Sequence, residues 1–167
     1  MSDLKRIIER FHKRTISHKV LLNKFYFPND DLRQKSKYQD IAFWYCLGDG
    51  IRPKSLLDVG TEFGLEASCV ITGAKTSPLV SLCDAKNRFV HSNIRLAGGR
   101  LSEQSNWELG IVNGEFCDLL PSIWNGLKLD GLLCVIDYRE AFQEFALVKN
   151  RTPILCEFRQ KIGLLRK

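Results

Sequence analysis

Long apolar runs are missing from this chain. None approaches the roughly 18 residues that a membrane-spanning helix requires, so no membrane partner is expected. The opening stretch, MSDLKRIIERFHKR, is charged throughout and lacks the apolar segment of a secretory signal, which points to a cytoplasmic protein. Metal-ligand patterns are also missing. The six cysteines (Cys46, Cys69, Cys83, Cys117, Cys134 and Cys156) form no CxxC pair. Most lie among apolar neighbours, as in SLCDA and LLCVID, and read as small buried hydrophobes of a reducing compartment. His12, His18 and His91 are scattered without metal-ligand spacing, so no zinc site is expected. Internal repeats and low-complexity linkers are absent as well. What remains is an ordinary globular composition, 44% hydrophobic and 26% charged, and 167 residues are enough for one domain with a real core.

Charge is unevenly placed. Residues 1–37 hold ten Lys/Arg and four Asp/Glu, so the whole net charge of +6 belongs to this segment and the other 130 residues are neutral. Residues 5–37 read either as an electrostatic footprint for an anionic partner such as nucleic acid or as the solvated face of an amphipathic helix. Leu4, Ile7, Ile8 and Phe11, then Val20, Leu21 and Leu22, have helical spacing with a break near Thr15–Ser17. Pro28 ends that pattern. Asn29, Asp30 and Asp31 offer N-caps for a second helix through Leu32, Tyr38, Ile41, Ala42 and Tyr45, which Gly48-Asp49-Gly50 is expected to stop. Phe43, Trp44 and Tyr45 read mainly as core packing, although an aromatic group here would also stack on a flat substrate. Residues 1–50 are thus expected to form a helical cap on the domain built by residues 51–167.

From Ser55 onward, short apolar runs alternate with helical stretches. Strands are predicted at Ser55–Val59, Leu79–Cys83, Trp107–Val112, Gly131–Ile136 and Ile154–Phe158, with helices near 62–74, 86–101, 115–125 and 138–149. Continuous apolar strands are typical of a parallel sheet covered on both faces, and a β-α-β series predicts a doubly wound, mostly parallel α/β sheet. The tail ILCEFRQKIGLLRK suggests a hairpin turning near Arg159–Gln160, closing the sheet with an antiparallel edge strand.

The informative stretch is SLLDVGTEFGLEASCVITGAK. A buried strand (Leu56, Leu57, Val59) runs into Gly60-Thr61-Glu62-Phe63-Gly64 and then a helix. A sharp strand-to-helix turn needs glycine, and so does a ligand that must approach the backbone without meeting a Cβ. The helix N-terminus beyond presents unsatisfied N–H groups to such a ligand. Asp84, followed by Ala85, ends the next strand 20 residues after Gly64. A carboxylate at that point suits the two ribose hydroxyls of a nucleoside.

These residues resemble a class I S-adenosylmethionine-dependent methyltransferase over 55–137, nearest to the small O-methyltransferase-like members. Asp58, Gly60 and Gly64 match the D-x-G-x-x-x-G signature, and Asp84 matches the ribose-binding acid. In GIVNGEFCDLLPSI, Gly114-Glu115 stands where the family carries Gly-Asp near the adenine pocket. LDGLLCVIDY supplies Asp137 where the family places an Asp beside the transferred methyl. The resemblance implies a Rossmann-like sheet of order 3-2-1-4-5 with S-adenosylmethionine across the strands' C-terminal ends. It also implies that Asp58 orders the glycine loop; Thr61 and Glu62 in that loop are candidate cofactor contacts, Glu62 reading either as meeting the methionine amino group or as solvated. Asp137 is then a general base, a metal ligand, or the N-cap of a helix starting at Tyr138. Tyr138 and Arg139 read as pocket wall or helix surface. Three family features are missing: the Pro-Gly-Gly turn before the fifth strand, the Asp-Asn pair after it, and any Asp/Asn-Pro-Pro-Tyr motif. The closing helix and last long strands are expected to be missing or reduced.

A methyltransferase acting on a small-molecule hydroxyl or carboxylate is the leading expectation. A nucleic-acid or protein methyltransferase gripping its target through the basic segment is a second. A non-catalytic S-adenosylmethionine-binding scaffold is a third, because this fold hosts many functions.

Overall fold

A computed structural model describes residues 2–13, 16–24, 37–60, 64–75, 79–83, 95–96 and 106–167. Three helices come first: α1 (Ser2–His12), α2 (His18–Leu22) and α3 (Tyr38–Ile51). In α1, Leu4, Ile7 and Phe11 are buried while Lys5 and Arg6 are exposed, which is the one-sided pattern that docks a surface helix. Ser17 caps α2 by accepting a hydrogen bond from the Val20 N–H. In α3, every residue from Ile41 to Leu47 is buried, because this helix has α1 on one side and a further helix, α4 (Leu65–Ala74), on another.

The expected helix stop at Gly48-Asp49-Gly50 is not there: α3 runs through it to Ile51. These glycines serve packing. A Cβ on Gly48 would overlap the Val70 carbonyl of α4, and one on Gly73 of α4 would overlap the Tyr45 carbonyl of α3, so the two backbones touch directly. Asp49 takes a 2.6 Å hydrogen bond from the Arg10 guanidinium, tying α1 antiparallel to α3.

The sheet contains β1 (Ser55–Val59), β2 (Leu79–Cys83), β3 (Arg95–Leu96), β4 (Trp107–Asn113), β5 (Leu127–Ile136), β6 (Ile154–Glu157) and β7 (Lys161–Arg166). Their order is β3-β2-β1-β4-β5-β7-β6, parallel from β3 to β5 and antiparallel over β7 and β6. The order expected from the sequence therefore needs correction. The third place belongs to the two-residue β3, which pairs with the free edge of β2 inside a stretch expected to be helical. The Trp107 strand is fourth and lies directly against β1. The Ile154 strand is sixth and forms the outer edge of a hairpin turning at residues 158–160. The last pair of strands, expected to be missing or reduced, is present as β6 and β7. Strand β5 also starts earlier than Gly131, at Leu127. Its pairing with β4 shifts register between Trp107 and Leu109, and Asp130 there takes φ 63°, a bulge that restores the ladder.

Side chains alternate across the sheet. Leu56, Leu109, Ile111, Leu132, Cys134 and Ile136 face α1, α3 and α4. Leu57, Val59, Val112, Leu133, Val135 and Leu165 face α5 (Leu120–Gly126) and α6 (Glu140–Val148). Phe43, Trp44 and Tyr45 are all buried in the first of these two cores. Among the described residues no helix is long and apolar enough to cross a membrane.

Candidate functional site

The chain leaves β1, goes to one side to form β2 and β3, then returns to form β4 on the other side of β1. The strand order reverses there, and the C-terminal ends of β1 and β4 border the crevice where sheets of this kind take ligands. Val59 pairs with Val112, so Gly60 and Asn113 emerge side by side.

Gly60 has φ 72° and Gly64 φ 62°, both in the left-handed region where a side chain costs about 1–2 kcal/mol. Gly64 is the N-cap of α4 and, being glycine, makes no side-chain cap hydrogen bond at that end. A Cβ on Gly60 would run into the ring of Phe116, in the 3₁₀ turn Gly114–Leu119 that follows β4. Asp58, two residues before Gly60, is 1% exposed, and strand alternation turns it to the α4 face. Ser68, one turn into α4, is fully buried with its Oγ lacking a hydrogen-bond partner. Both buried polar side chains among the described residues thus flank the glycine turn. Thr61, Glu62, Asp84 and Ala85 lie outside the described residues.

After β4, the Asn113 side-chain oxygen accepts a 3.0 Å hydrogen bond from the Glu115 N–H and fixes the turn. Gly114 is required by crowding: a Cβ there would stand 2.5 Å from the Asp137 carbonyl oxygen and 2.9 Å from that of Ile136. Glu115 is exposed. By this topology Gly114 and Glu115 stand beside Gly60, at the fourth strand. Asp137 ends the fifth strand, one place farther out. Asn113 and Phe116 were not singled out from the sequence. A polar residue closing an apolar strand was the available signal for Asn113, but its place beside Gly60 depends on strand order.

Asp137 is exposed with φ 50°. Its N–H donates to the Lys161 carbonyl at 2.6 Å, and its Oδ1 accepts from the Lys161 N–H at 3.4 Å. It does not cap the following helix, which begins at Glu140 with Arg139 as N-cap. Tyr138 is buried instead of lying on a helix surface, and its hydroxyl donates to Glu157 Oε1 at 3.4 Å. Burial, with the Glu157 carboxylate beside it, holds this phenol above its ordinary pKa.

A second feature occupies the same edge of the sheet. The β6–β7 turn, the end of α1 and the start of α3 border an open cleft of about 500 Å³. Phe11, Tyr38 and Phe158 supply its aromatic wall, with Phe11 4.4 Å from Phe158 and stacked on Tyr38 at 6.1 Å between ring centres. His12, Gln39, Glu157 and Arg159 form an exposed polar rim.

Burial raises the Cys134 thiol far above its ordinary pKa, pushes Cys156 up to about 11 and raises Cys46 and half-buried Cys117. Among the described residues no three His, Cys, Asp or Glu side chains converge on a metal-sized site.

The sequence matches no family model and no curated protein sequence. In three dimensions the chain is similar to a methyltransferase from Geobacter sulfurreducens, with TM-score 0.67 and 13% identity over 96% of this chain and 94% of that one. It is similar to an SAH-bound methyltransferase from Podospora anserina, with TM-score 0.59 and 14% identity over 100% of this chain and 88% of that one. It is also similar to precorrin-6y C5,15-methyltransferase from Geobacter metallireducens, with TM-score 0.62 and 10% identity over 86% of this chain and 99% of that one. The chain therefore has the mixed α/β sheet and flanking helices of these methyltransferases.

Proposed function

We propose that this protein is an S-adenosylmethionine-dependent methyltransferase acting on a small-molecule hydroxyl or carboxylate. The observation that carries the reading is the turn between β1 and α4. Its two glycines take left-handed backbone, two buried polar side chains flank it, and it opens at the switch point beside β4. The matched Asp58, Gly60 and Gly64 fall at that place.

The cofactor supplies an already activated methyl group on sulfur, so the protein's tasks are alignment and exclusion of water. Gly60, Thr61, Glu62 and Gly64 hold the amino-acid end against the first amides of α4, with Asp58 ordering the loop. Asp84 takes the ribose hydroxyls, with Ala85 beside it. Gly114 and Glu115 border the same crevice, and the Phe116 ring closes it over Gly60. Asp137 receives the acceptor's hydroxyl proton as the oxygen is methylated.

Calorimetric titration of the whole chain with S-adenosylmethionine, S-adenosylhomocysteine and NAD tests the reading, repeated on Asp84→Ala. The expected result is micromolar-range binding of the first two, lost in the variant, with no binding of NAD. Absence of binding to both sulfur nucleosides overturns it.

A further inference from the structure

We infer that the edge of the sheet opposite the glycine turn, where the parallel strands begin, docks on an anionic lipid bilayer. The inference does not depend on the methyl-transfer reading. The connections at this edge (residues 52–54, 75, 106, 128–131, 149–153 and 166–167) hold eight Lys/Arg and one carboxylate, Asp130. Some of these cations hold the edge together. Arg52 lies 3.9 Å from Asp49, Lys128 pairs with Glu108 at 3.0 Å, and Arg166 donates to the Asp130 carbonyl at 2.7 Å. Lys54, Lys75 and Arg151 are exposed and make no ion pair among the described residues. With Asp49 and Glu108 counted beside Asp130, the edge keeps an excess of five positive charges.

Residues 38–167 are neutral in sum because the acids gather at the other edge. There Glu115, Asp118, Asp137, Glu140 and Glu157 are exposed and outnumber Arg139, Arg159 and Lys161. Strand β4, with seven residues, separates the two edges by about 23 Å at about 3.3 Å per residue. That is nearly three Debye lengths at physiological salt, about 8 Å each, so the acids do not cancel the basic edge for a partner lying against it.

Apolar side chains decide which anion. Leu129, Leu147 and Val148 are 81%, 76% and 80% exposed, the three most exposed large hydrophobic side chains among the described residues, and all lie at this edge. Leu129 stands in the β5 bulge between Lys128 and Asp130, and Leu147 and Val148 end α6. The fold joins these places. Lys167 Nζ donates to the carbonyls of Trp124 and Leu127, each at 2.7 Å, and the Trp124 ring meets Phe145 of α6 at 5.7 Å. One exposed aliphatic group means little, but three set among cations form an amphipathic surface. A phosphate backbone gives Leu and Val nothing to contact, and single-stranded nucleic acid stacks on exposed rings. Here Trp107 and Trp124 are buried, and the Lys149 ammonium lies over the Phe145 ring. An anionic bilayer engages both kinds of group: its headgroups attract the cations, and aliphatic side chains enter the boundary with the acyl chains. Attachment of this kind needs no membrane-spanning helix, and it leaves the turn at Gly60 facing water.

The test is sedimentation of the full chain with vesicles of phosphatidylcholine alone or with about 30% phosphatidylserine, beside a titration with a single-stranded RNA oligonucleotide. The serine-containing vesicles are expected to bind at least about tenfold more tightly than the neutral ones, and to release the chain at about 0.5 M salt. Combined Lys54→Gln, Lys75→Gln and Arg151→Gln is expected to weaken vesicle binding about 100-fold, at about fivefold per cation. The same substitution of Lys13, Lys19 and Lys24, exposed in the helical cap, removes equal charge and is expected to weaken it less than about threefold. Leu147→Ser with Val148→Ser is expected to weaken vesicle binding about tenfold and to leave any RNA binding unchanged. All these positions are exposed, so the variants keep the packed core. Equal binding to neutral vesicles, no vesicle binding, an equal loss in the cap variant, or full vesicle binding by the Leu147 and Val148 variant would each overturn the inference. Tighter binding of RNA than of vesicles would also overturn it and assign the edge to nucleic acid.

Discussion

Two strands end at this edge in left-handed backbone, β1 at Gly60 with φ 72° and β5 one residue beyond its end, at Asp137, with φ 50°. The backbone demand is nearly the same, yet one position carries no side chain and the other a carboxylate. The surroundings explain the difference. At Gly60 the Phe116 ring fills the space a Cβ would need, so both sterics and φ require glycine. At Asp137 the side chain is exposed and accepts from the Lys161 N–H, and Asp is among the few residues that tolerate this conformation. The first turn has no room for a side chain, whereas the second carries an exposed carboxylate.

Gly60→Ala is expected to have the largest effect. Left-handed backbone costs Ala about 1–2 kcal/mol, and overlap with a packed ring adds about 1–3 kcal/mol. Urea unfolding is expected to show a loss of about 3 kcal/mol overall, consistent with those two terms, together with loss of S-adenosylmethionine binding. Combining it with Phe116→Ala relieves the overlap and leaves the backbone cost, so the double variant is expected to be less unstable than the two single losses added together. Strict additivity would show that Phe116 is not what excludes a side chain at Gly60.

Asp137 separates the other way. Asp137→Gly satisfies the backbone and deletes the carboxylate, so it is expected to fold with near-normal stability and to bind S-adenosylmethionine normally. Turnover of a hydroxyl acceptor is expected to fall about 100-fold, the lower end for loss of a general base. Asp137→Ala is expected to cost a further 1 kcal/mol or so in stability for its left-handed backbone. Full turnover in Asp137→Gly would confine Asp137 to a structural role.

The sequence made one of these ends much more legible than the other. An apolar strand, two spaced glycines and an apolar helix are local features, so the turn after β1 could be read residue by residue. The environment of Asp137 depends on Lys161, which lies 24 residues away on an antiparallel strand. Pairing between distant strands leaves no periodic signal. The same limit explains the displaced strand order: Arg95–Leu96 is too short to show alternation, and without it the Trp107 strand takes the wrong number. Gly48 is ambiguous in the sequence for another reason. Glycine that ends a helix and glycine that lets two helices touch look identical until the partner, here Val70, is known. The aromatic cleft was hidden too, because Phe11, Tyr38 and Phe158 come from three separate elements.

Tyr138→Phe sharpens the comparison on the Asp137 side. It removes one long hydrogen bond to Glu157 without opening a cavity, and the expected cost is about 0.5 kcal/mol. The phenol's raised pKa adds a signature. Stabilisation from a group whose folded pKa is raised is full below its unfolded value, about 10, and is lost as pH rises through the folded one. The Phe variant is therefore expected to lose stability less steeply than the parent above pH 10 or so.

The smallest effect is expected at the opposite edge of the sheet, where neither turn is involved. Glu108, near the start of β4, accepts from the Lys54 N–H at 2.7 Å and pairs with the Lys128 ammonium at 3.0 Å. Burial alone would raise its pKa, but these two partners outweigh burial and hold the carboxyl below its ordinary value. Its contribution is therefore present above the unfolded glutamate pKa of about 4.3 and is lost as pH falls through the lowered folded value. The pair is partly exposed, so Glu108→Gln is expected to cost only about 0.2–1 kcal/mol at neutral pH. Its acid unfolding limb is expected to be shallower than the parent's, and S-adenosylmethionine affinity to be unchanged. A change in that affinity would show that the two edges of the sheet are coupled, and the differences between Gly60 and Asp137 could then no longer be assigned to their local surroundings alone.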